Sequence, residues 1–478
     1  MFFRKKSDEY KKEVDFEGRM VIIGCGSIGQ GILPLLFRHI KINPEQVSII
    51  TADERGMDVA EKYGVSFSIN PLIRENYRSI LDSLLDKGDF LLNLSVNVGS
   101  VDLIDFCGEK GVLYLDTCIE PWEGVYTDTS LTPSLRSNYA FREQALALQK
   151  KYGQSGSTAV LTQGANPGLV SQFIKQALLN LARDMKKEIE MPKNREEWAE
   201  LSQMLGVKVI HIAERDTQIA EPRKVIGEFV NTWSIDGFVG EGCQPAELGW
   251  GSHEKNFPAN SSCHESGCQS AILLNQPGAS TWVRTWTPLQ GPFLGMLITH
   301  GESISLADYF TVGSGVNPEY RPTVHYAYHP SDDTVLSMLE LQERNWHIQE
   351  KKRLVSQEIV SGVDEVGVLL MGHEKEIYWY GSRLSIDDAR ALAPYNSATS
   401  LQVTAGALAG VIWAMRHPNE GVIDPEYMDF EEIMDIARPY LGEMIGEYGD
   451  WNPTLNRSEI FAEDIDIEDP WQFKNFQV

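Results

Sequence analysis

Six residues near the N-terminus, Gly24-Cys25-Gly26-Ser27-Ile28-Gly29, have the glycine spacing of a loop that cradles a dinucleotide pyrophosphate. The apolar run Met20-Val21-Ile22-Ile23 precedes them, and a helix-patterned stretch, 28–39, follows. In that setting Gly24 permits the tight turn, Gly26 lets the backbone approach the phosphates, and Gly29 lets helix and strand pack closely. Ser27 and Ile28 open the helix whose N-terminus faces the phosphate charge. Asp53 lies 24 residues beyond Gly29, close to the interval at which a carboxylate accepts ribose hydroxyls. A carboxylate there favours NAD, while Arg55 leaves NADP open. A glycine turn without a ligand is the alternative, and the strand–loop–helix context argues against it.

A second set of polar residues falls at the ends of apolar runs, where open α/β sheets bind their ligands. Ser95 and Asn97 follow 90–94. Asp116, Thr117, Glu120 and Trp122 follow 113–115, and Asn166 follows 159–161. Asp116 and Thr117 serve equally well as turn and capping residues. Glu120 beside Trp122 suits a cation, because an acid next to an aromatic face can hold one. Further along stand Glu214 in the run 211–216, Trp233, Glu241, and His300 in Thr299-His300-Gly301-Glu302. Singly, each has a plain alternative: a Glu214–Arg215 surface pair, a core Trp233, a satisfied loop His300. Together, carboxylates and a Trp face suit an ammonium ligand, and a His titrating near neutrality suits proton transfer to and from an amine.

The elements that must position these residues form an α/β protein. Residues 18–168 alternate short apolar runs with helical patterns, which predicts a Rossmann-type parallel sheet forming a dinucleotide-binding domain. After Asn166-Pro167-Gly168 a helix is predicted over 169–185. Residues 169–394 then read as a second α+β domain carrying a mixed or antiparallel sheet, for substrate binding and dimerisation. Residues 395–420 contain a nearly all-apolar helix with small residues, expected to complete the first domain or meet a partner. Residues 421–478 carry aromatics expected to dock on the body, and 1–17 read as a flexible or helical arm.

The net charge of −26 on 478 residues repels nucleic acid and anionic membranes and attracts small cations. With 42% hydrophobic and 23% charged residues the composition is globular. No run reads as a membrane span or signal core, so a cytoplasmic location is expected. Six cysteines in so long a chain form no disulfide framework. His253, Cys263, His264 and Cys268 match no common zinc spacing, and no metal is expected.

Over nearly the whole chain after the arm, the sequence resembles the bacterial homospermidine synthases, Rossmann enzymes of the saccharopine-reductase type. The matching stretches include 24–31, 93–96, Glu120-Pro121-Trp122, 164–168, 211–218, 229–234, 244–251 and 469–473. The resemblance implies a homodimer that keeps NAD as a prosthetic group and transfers an aminobutyl group. Two putrescines would become homospermidine with loss of ammonia through imine intermediates, and spermidine is a further candidate donor. It implies a pocket lined by Asn166, Glu214, Trp233, Glu241 and His300 with Glu120 beside them, and no metal. His300, Glu214 and Asn166 are the expected catalytic groups, with Trp233 and Glu241 together holding the far ammonium. Ser95 and Thr117 are placed with the cofactor. Two departures stand out: Asn97 replaces an acid, and Thr51 occupies the usual place of the ribose-binding acid.

Two other readings compete. A carboxynorspermidine or saccharopine-type dehydrogenase with net redox would need a basic pocket, for which Arg215, Arg284 and Arg321 are available. A non-catalytic NAD or polyamine sensor would not need the full set of pocket residues.

Overall fold

In a computed structural model that describes residues 10–153 and 155–478, two large sheets share one continuous core, with four two-stranded sheets beside them among the described residues. The first contains β1 (Met20–Ile23), β2 (Val47–Thr51), β3 (Ser66–Ile69), β4 (Phe90–Asn93), β5 (Leu113–Asp116) and β6 (Ala159–Val160). Its strand order is Val422–Ile423, β6, β5, β4, β1, β2, β3, and every pairing is parallel. β1, β4 and β5 are buried at every position, as strands covered on both faces must be. Helix α1 (Ser27–His39) follows β1 directly. The seventh strand comes from far along the chain, so 421–478 is not simply an appended tail. Its later residues Trp471, Phe473 and Phe476 are buried against the second sheet.

The second sheet has ten strands. They are β7 (Val209–Asp216), β8 (Pro245–Gly249), β9 (Ser261–Cys263), β10 (Ala271–Pro277), β11 (Trp282–Thr287), β12 (Gly291–Met296), β13 (Thr323–His329), β14 (Val363–His373), β15 (Glu376–Ser385) and β16 (Glu443–Gly449). The order runs β9, β10, β8, β13, β7, β14, β15, β16, and the β11–β12 hairpin joins through β12 to β13. Only β7 and β13 pair in parallel, so the sheet is mixed. All eight residues of β7 are buried, including its acids.

Four helices complete the site. Helix α2 (Leu169–Asp184) lays Leu169, Phe173, Ala177 and Leu181 against β14 and β15. The spacing of these four residues is that of one helical face. Helices α3 (Ile235–Cys243) and α4 (Gly301–Tyr309) carry or border the polar residues described below. Helix α5 (Ala398–Arg416) packs on α1 and β5. It is long and apolar enough to cross a bilayer, which the sequence reading did not see, but 89% of that stretch is buried inside the fold.

The expected arm needs correction where it is described. Val14–Asp15 pairs with Ile40–Lys41, and Glu13 binds Arg416 at 2.8 Å, so residues 10–17 lie on the body. Residues 1–9 lie outside the described residues.

Candidate active site

The glycine loop has the features a dinucleotide requires. Gly24 has φ +88°, and a Cβ there would meet the Leu94 carbonyl at 2.9 Å. A Cβ on Gly29 would lie 2.7 Å from the Gly24 carbonyl, whereas one on Gly26 would meet nothing within 4 Å. Gly29 therefore serves packing and Gly26 faces open space. The N-terminus of α1 has no acid in its first turn and no side-chain cap, and the buried Ser27 hydroxyl has no partner. Unpaired donors at a helix start suit a phosphate.

A cleft of about 300 Å³ opens from this loop, lined by Gly24, Gly26, Thr51, Asp53, Ser95 and Asn97 and closed from the second domain by Ser234 and Asp236. Asp53 is held by Arg55, whose Nε lies 3.0 and 2.9 Å from its two oxygens. That bond holds the Asp53 carboxyl below its usual range. Thr51 ends β2 buried at the cleft wall. Thr117 lies outside the cleft, beside Gly164.

A tight loop presents Asn166. Gly164 N–H donates to the Pro167 carbonyl at 2.7 Å, Gly168 takes φ +125°, and α5 approaches so closely that a Cβ on Gly406 would lie 2.0 Å from the Gly164 carbonyl. Small residues in α5 thus serve the site. Asn166 Nδ2 donates to Glu214 Oε2 at 2.7 Å, and the Tyr326 hydroxyl donates to the same oxygen at 2.6 Å. Burial pushes Glu214 up to about 7, although both donors oppose the shift. Two more buried acids flank it. Asp216 accepts from Thr232 at 2.7 Å and from Gln218. Asp364, opposite Asp216 on β14, has no hydrogen bond of good geometry to either oxygen among the described residues, Thr399 being its near hydroxyl neighbour. Burial, then the Glu214 and Asp216 charges, hold Asp364 well above the usual carboxylate range.

A second acidic cluster surrounds His300, which caps α4. His300 Nε2 lies 3.1 Å from Glu241 Oε2, and Nδ1 lies 3.1 Å from Glu302 Oε1. Burial alone would lower the His300 pKa, but the two carboxylates outweigh it and raise it to about 10. The expected near-neutral base is instead a buried imidazolium. Burial, and then Glu241 and Asp116, raise the neighbouring Glu120 to about 8. Glu120, Glu241, Thr299 and His300 border a polar cavity of about 10 Å³, room for about one water. Asn97, with φ +62°, lines the cofactor cleft and donates its backbone N–H to Glu120 at 3.3 Å. It connects the two spaces.

His300 and Tyr326 lie between the acidic clusters, with ring centroids 4.4 Å apart. Tyr326 stacks on Tyr328 at 5.2 Å, and the Trp233 indole donates to the Tyr328 hydroxyl at 3.1 Å. Trp233 thus joins the Glu214 side, whereas Glu241 pairs with His300. Trp122 departs from its expected partnership with Glu120. It donates to Asp102 at 2.5 Å and packs on Tyr77 within the first domain.

The saccharopine dehydrogenase NADP binding domain family matches residues 20–160, and the saccharopine dehydrogenase C-terminal domain family matches residues 164–450. The homospermidine synthase of Blastochloris viridis is 49% identical over 471 residues, covering 97% of this chain and 98% of its own. That of Mesorhizobium japonicum is 47% identical over the same length. The chain belongs to the homospermidine synthase family. A crystal structure of the homospermidine synthase from Legionella pneumophila in complex with NAD superposes with a TM-score of 0.90 at 49% identity, covering 98% of this chain and 99% of that one. Apo saccharopine dehydrogenase (L-Glu forming) from Saccharomyces cerevisiae shares the fold at 9% identity and a TM-score of 0.50.

Within this homospermidine synthase fold, Asn166, Glu214, His300, Glu241 and Glu120 fall into adjoining networks. Gly24, Gly26, Asp53, Ser95 and Asn97 fall around the cleft. Sequence reasoning missed Tyr326, Tyr328 and Asp364. The two tyrosines alternate in Tyr326-Ala327-Tyr328, and this period of two was their available signal. Asp364 lay in no recognisable motif and is found only through the pairing of β14 with β7.

Proposed function

We propose that this chain joins two putrescines into homospermidine and releases ammonia, with NAD retained throughout. The observation that carries this reading is the sign of the site: the polar cavity beside His300 is bordered by Glu120 and Glu241 and by no lysine or arginine. The cation facing these acids is His300, shared between Glu241 and Glu302, and an ammonium ligand can take its place at Glu241. The net-redox alternative needs a cation for a substrate carboxylate, and its candidates are engaged elsewhere. Arg215 binds Gln290 and Asp332, Arg321 binds Thr311 and backbone carbonyls, and Arg284 faces Glu463.

The loop Gly24, Gly26, Ser27, Ile28 and Gly29 would hold the pyrophosphate. Asp53 would hold the ribose, with Ser95 toward the nicotinamide end. Bound there, NAD supplies the acceptor that takes a hydride from the amine-bearing carbon and gives it back, so turnover carries no net redox change. The protein handles the protons. The reacting ammonium, with a pKa of about 10 in water, must become neutral, and Glu214 takes its proton. Asn166 orients the reacting carbon. Trp233 offers its π face on the same side. The far ammonium rests against Glu241 and Glu120. There it competes with His300 for Glu241, which lowers the His300 pKa and readies that proton for the departing ammonia.

The test is incubation with putrescine and substoichiometric NAD, followed by assay for homospermidine and ammonia. Stoichiometric NADH without homospermidine would overturn the reading in favour of net oxidation. The same reading makes the protein a cytoplasmic homodimer that binds neither nucleic acid nor membrane. Exposed Val225 and Ile226 offer apolar surface for a second copy, and light scattering at the monomer mass would refute the dimer.

A further inference from the structure

The small cavity beside His300 has a second polar wall that the chemistry above does not use. Thr299 and Asn138 line it, and behind them lies Glu247, a fully buried carboxylate on β8. The Thr299 hydroxyl donates to Glu247 Oε2 at 2.7 Å, and the Asn138 backbone N–H donates to the same oxygen at 3.0 Å. Glu247 Oε1 lies 3.7 Å from His264 Nε2, an atom with no hydrogen-bond partner among the described residues. The far nitrogen, His264 Nδ1, lies 2.7 Å from the Ser134 hydroxyl. Ser134 sits on the turn Pro133–Arg136, flanked by exposed Leu135.

These groups form one line from the cavity to the half-buried turn at Ser134: Thr299, Glu247, His264, Ser134. We infer that Glu247 and His264 are a proton relay that drains the cavity beside His300 during turnover and refills it. The inference rests on the diamine reading of the site, because that reaction needs such a buffer. Two ammonium groups must each shed a proton before carbon–nitrogen chemistry, and the leaving ammonia must regain one. No proton is gained or lost overall, but each must be parked. In the substrate-free site His300 cannot park them, being already protonated between its two carboxylates.

Each step balances. A cavity proton passes to the Thr299 oxygen as its own hydroxyl proton passes to Glu247. Glu247, now a carboxylic acid, turns its hydroxyl toward His264, closes the 3.7 Å gap and hands that proton to Nε2, while His264 Nδ1–H passes to Ser134 as the Ser134 hydroxyl proton leaves to solvent. The return journey reverses every transfer.

The titratable groups facing Glu247 suit this work. They are His264 and Tyr139, whose rings stack at 3.7 Å, and no lysine or arginine pairs with Glu247 among the described residues. Burial raises Glu247 to about 7, so it exchanges protons near neutrality, while burial lowers His264 to about 4, so it stays neutral and passes a proton on rather than holding it. A permanently paired carboxylate could not do this.

Glu247 also accepts from the N-terminal N–H groups of the helix Asn138–Tyr152, so a structural role must be separated from a relay. The experiment uses the NAD-loaded full chain with putrescine, after the wild type has been shown to form homospermidine. Failure of that control would sink the diamine reading; success isolates the relay. We expect His264→Ala to lower kcat at least tenfold with KM within twofold. We also expect small imidazole or a high buffer concentration to restore it, since the route opens to solvent beside Ser134. Glu247→Gln keeps the shape but carries no proton, and should lower kcat similarly without rescue. Unchanged kcat in both variants would overturn the relay. So would losses that no buffer or imidazole restores in His264→Ala, because a packing defect responds to neither.

Discussion

Asn166 donates its side-chain amide to Glu214 over 2.7 Å, joining a loop of the first domain to a strand of the second. The bond holds a carboxylate that burial alone would push further up. Hydrogen bonds to the charged form of an acid lower its pKa, so removing the donor must raise it. In Asn166→Ala the acidic limb of the kcat–pH profile should move from about 7 to higher pH. Glu214→Gln should lose turnover by at least a hundredfold, the scale of a general base. An unmoved limb in Asn166→Ala would remove Glu214 as the titrating base.

His300 between Glu241 and Glu302 is a buried ion-pair triad. Deleting the cation leaves two buried acids unpaired, at a cost of about 3–5 kcal/mol. His300→Asn should therefore lose both thermal stability and activity. The sign follows from the raised pKa. The stabilisation is fully present below the unfolded-state value of 6.5 and disappears as pH rises through about 10. The difference in Tm between wild type and His300→Asn should thus narrow across that interval, and a difference independent of pH would refute the ion pair.

Trp233 combines a π face with an indole N–H bonded to Tyr328. Trp233→Phe keeps a face and should raise KM for putrescine only several-fold. Trp233→Ala loses both and should raise it by about thirtyfold, the equivalent of a desolvated cation–π contact of about 2 kcal/mol. Equal effects of the two changes in steady-state kinetics would exclude cation–π binding.

The two glycines Gly26 and Gly29 should fail in different ways. A methyl on Gly26 enters open space, so Gly26→Ala should keep its Tm without cofactor but bind NAD at least tenfold more weakly. A methyl on Gly29 meets the Gly24 carbonyl at 2.7 Å, so Gly29→Ala should lose stability first. Calorimetry with and without NAD separates these outcomes.

The parallel sheet and its glycine loop were legible in the sequence because their signals are local. An apolar run, a glycine spacing and a helical period lie within about thirty residues of one another. By contrast, the strand Val422–Ile423 was invisible as a member of that sheet, since two apolar residues form a strand only when a neighbour is waiting.

Residue types and order alone thus determined an acidic protein with a dinucleotide loop and a supply of carboxylates, a Trp and a His suited to an amine. Only the tertiary structure decided which of them share an environment. It placed Glu241 with His300 and Trp233 with Tyr328, turned Trp122 away from Glu120, and set Asp364 opposite Asp216. It also decided protonation, because burial and neighbouring charge, not residue type, make His300 a cation and let Glu214 titrate near neutrality. Those quantities depend on distances between residues far apart in the chain, and no local pattern encodes them.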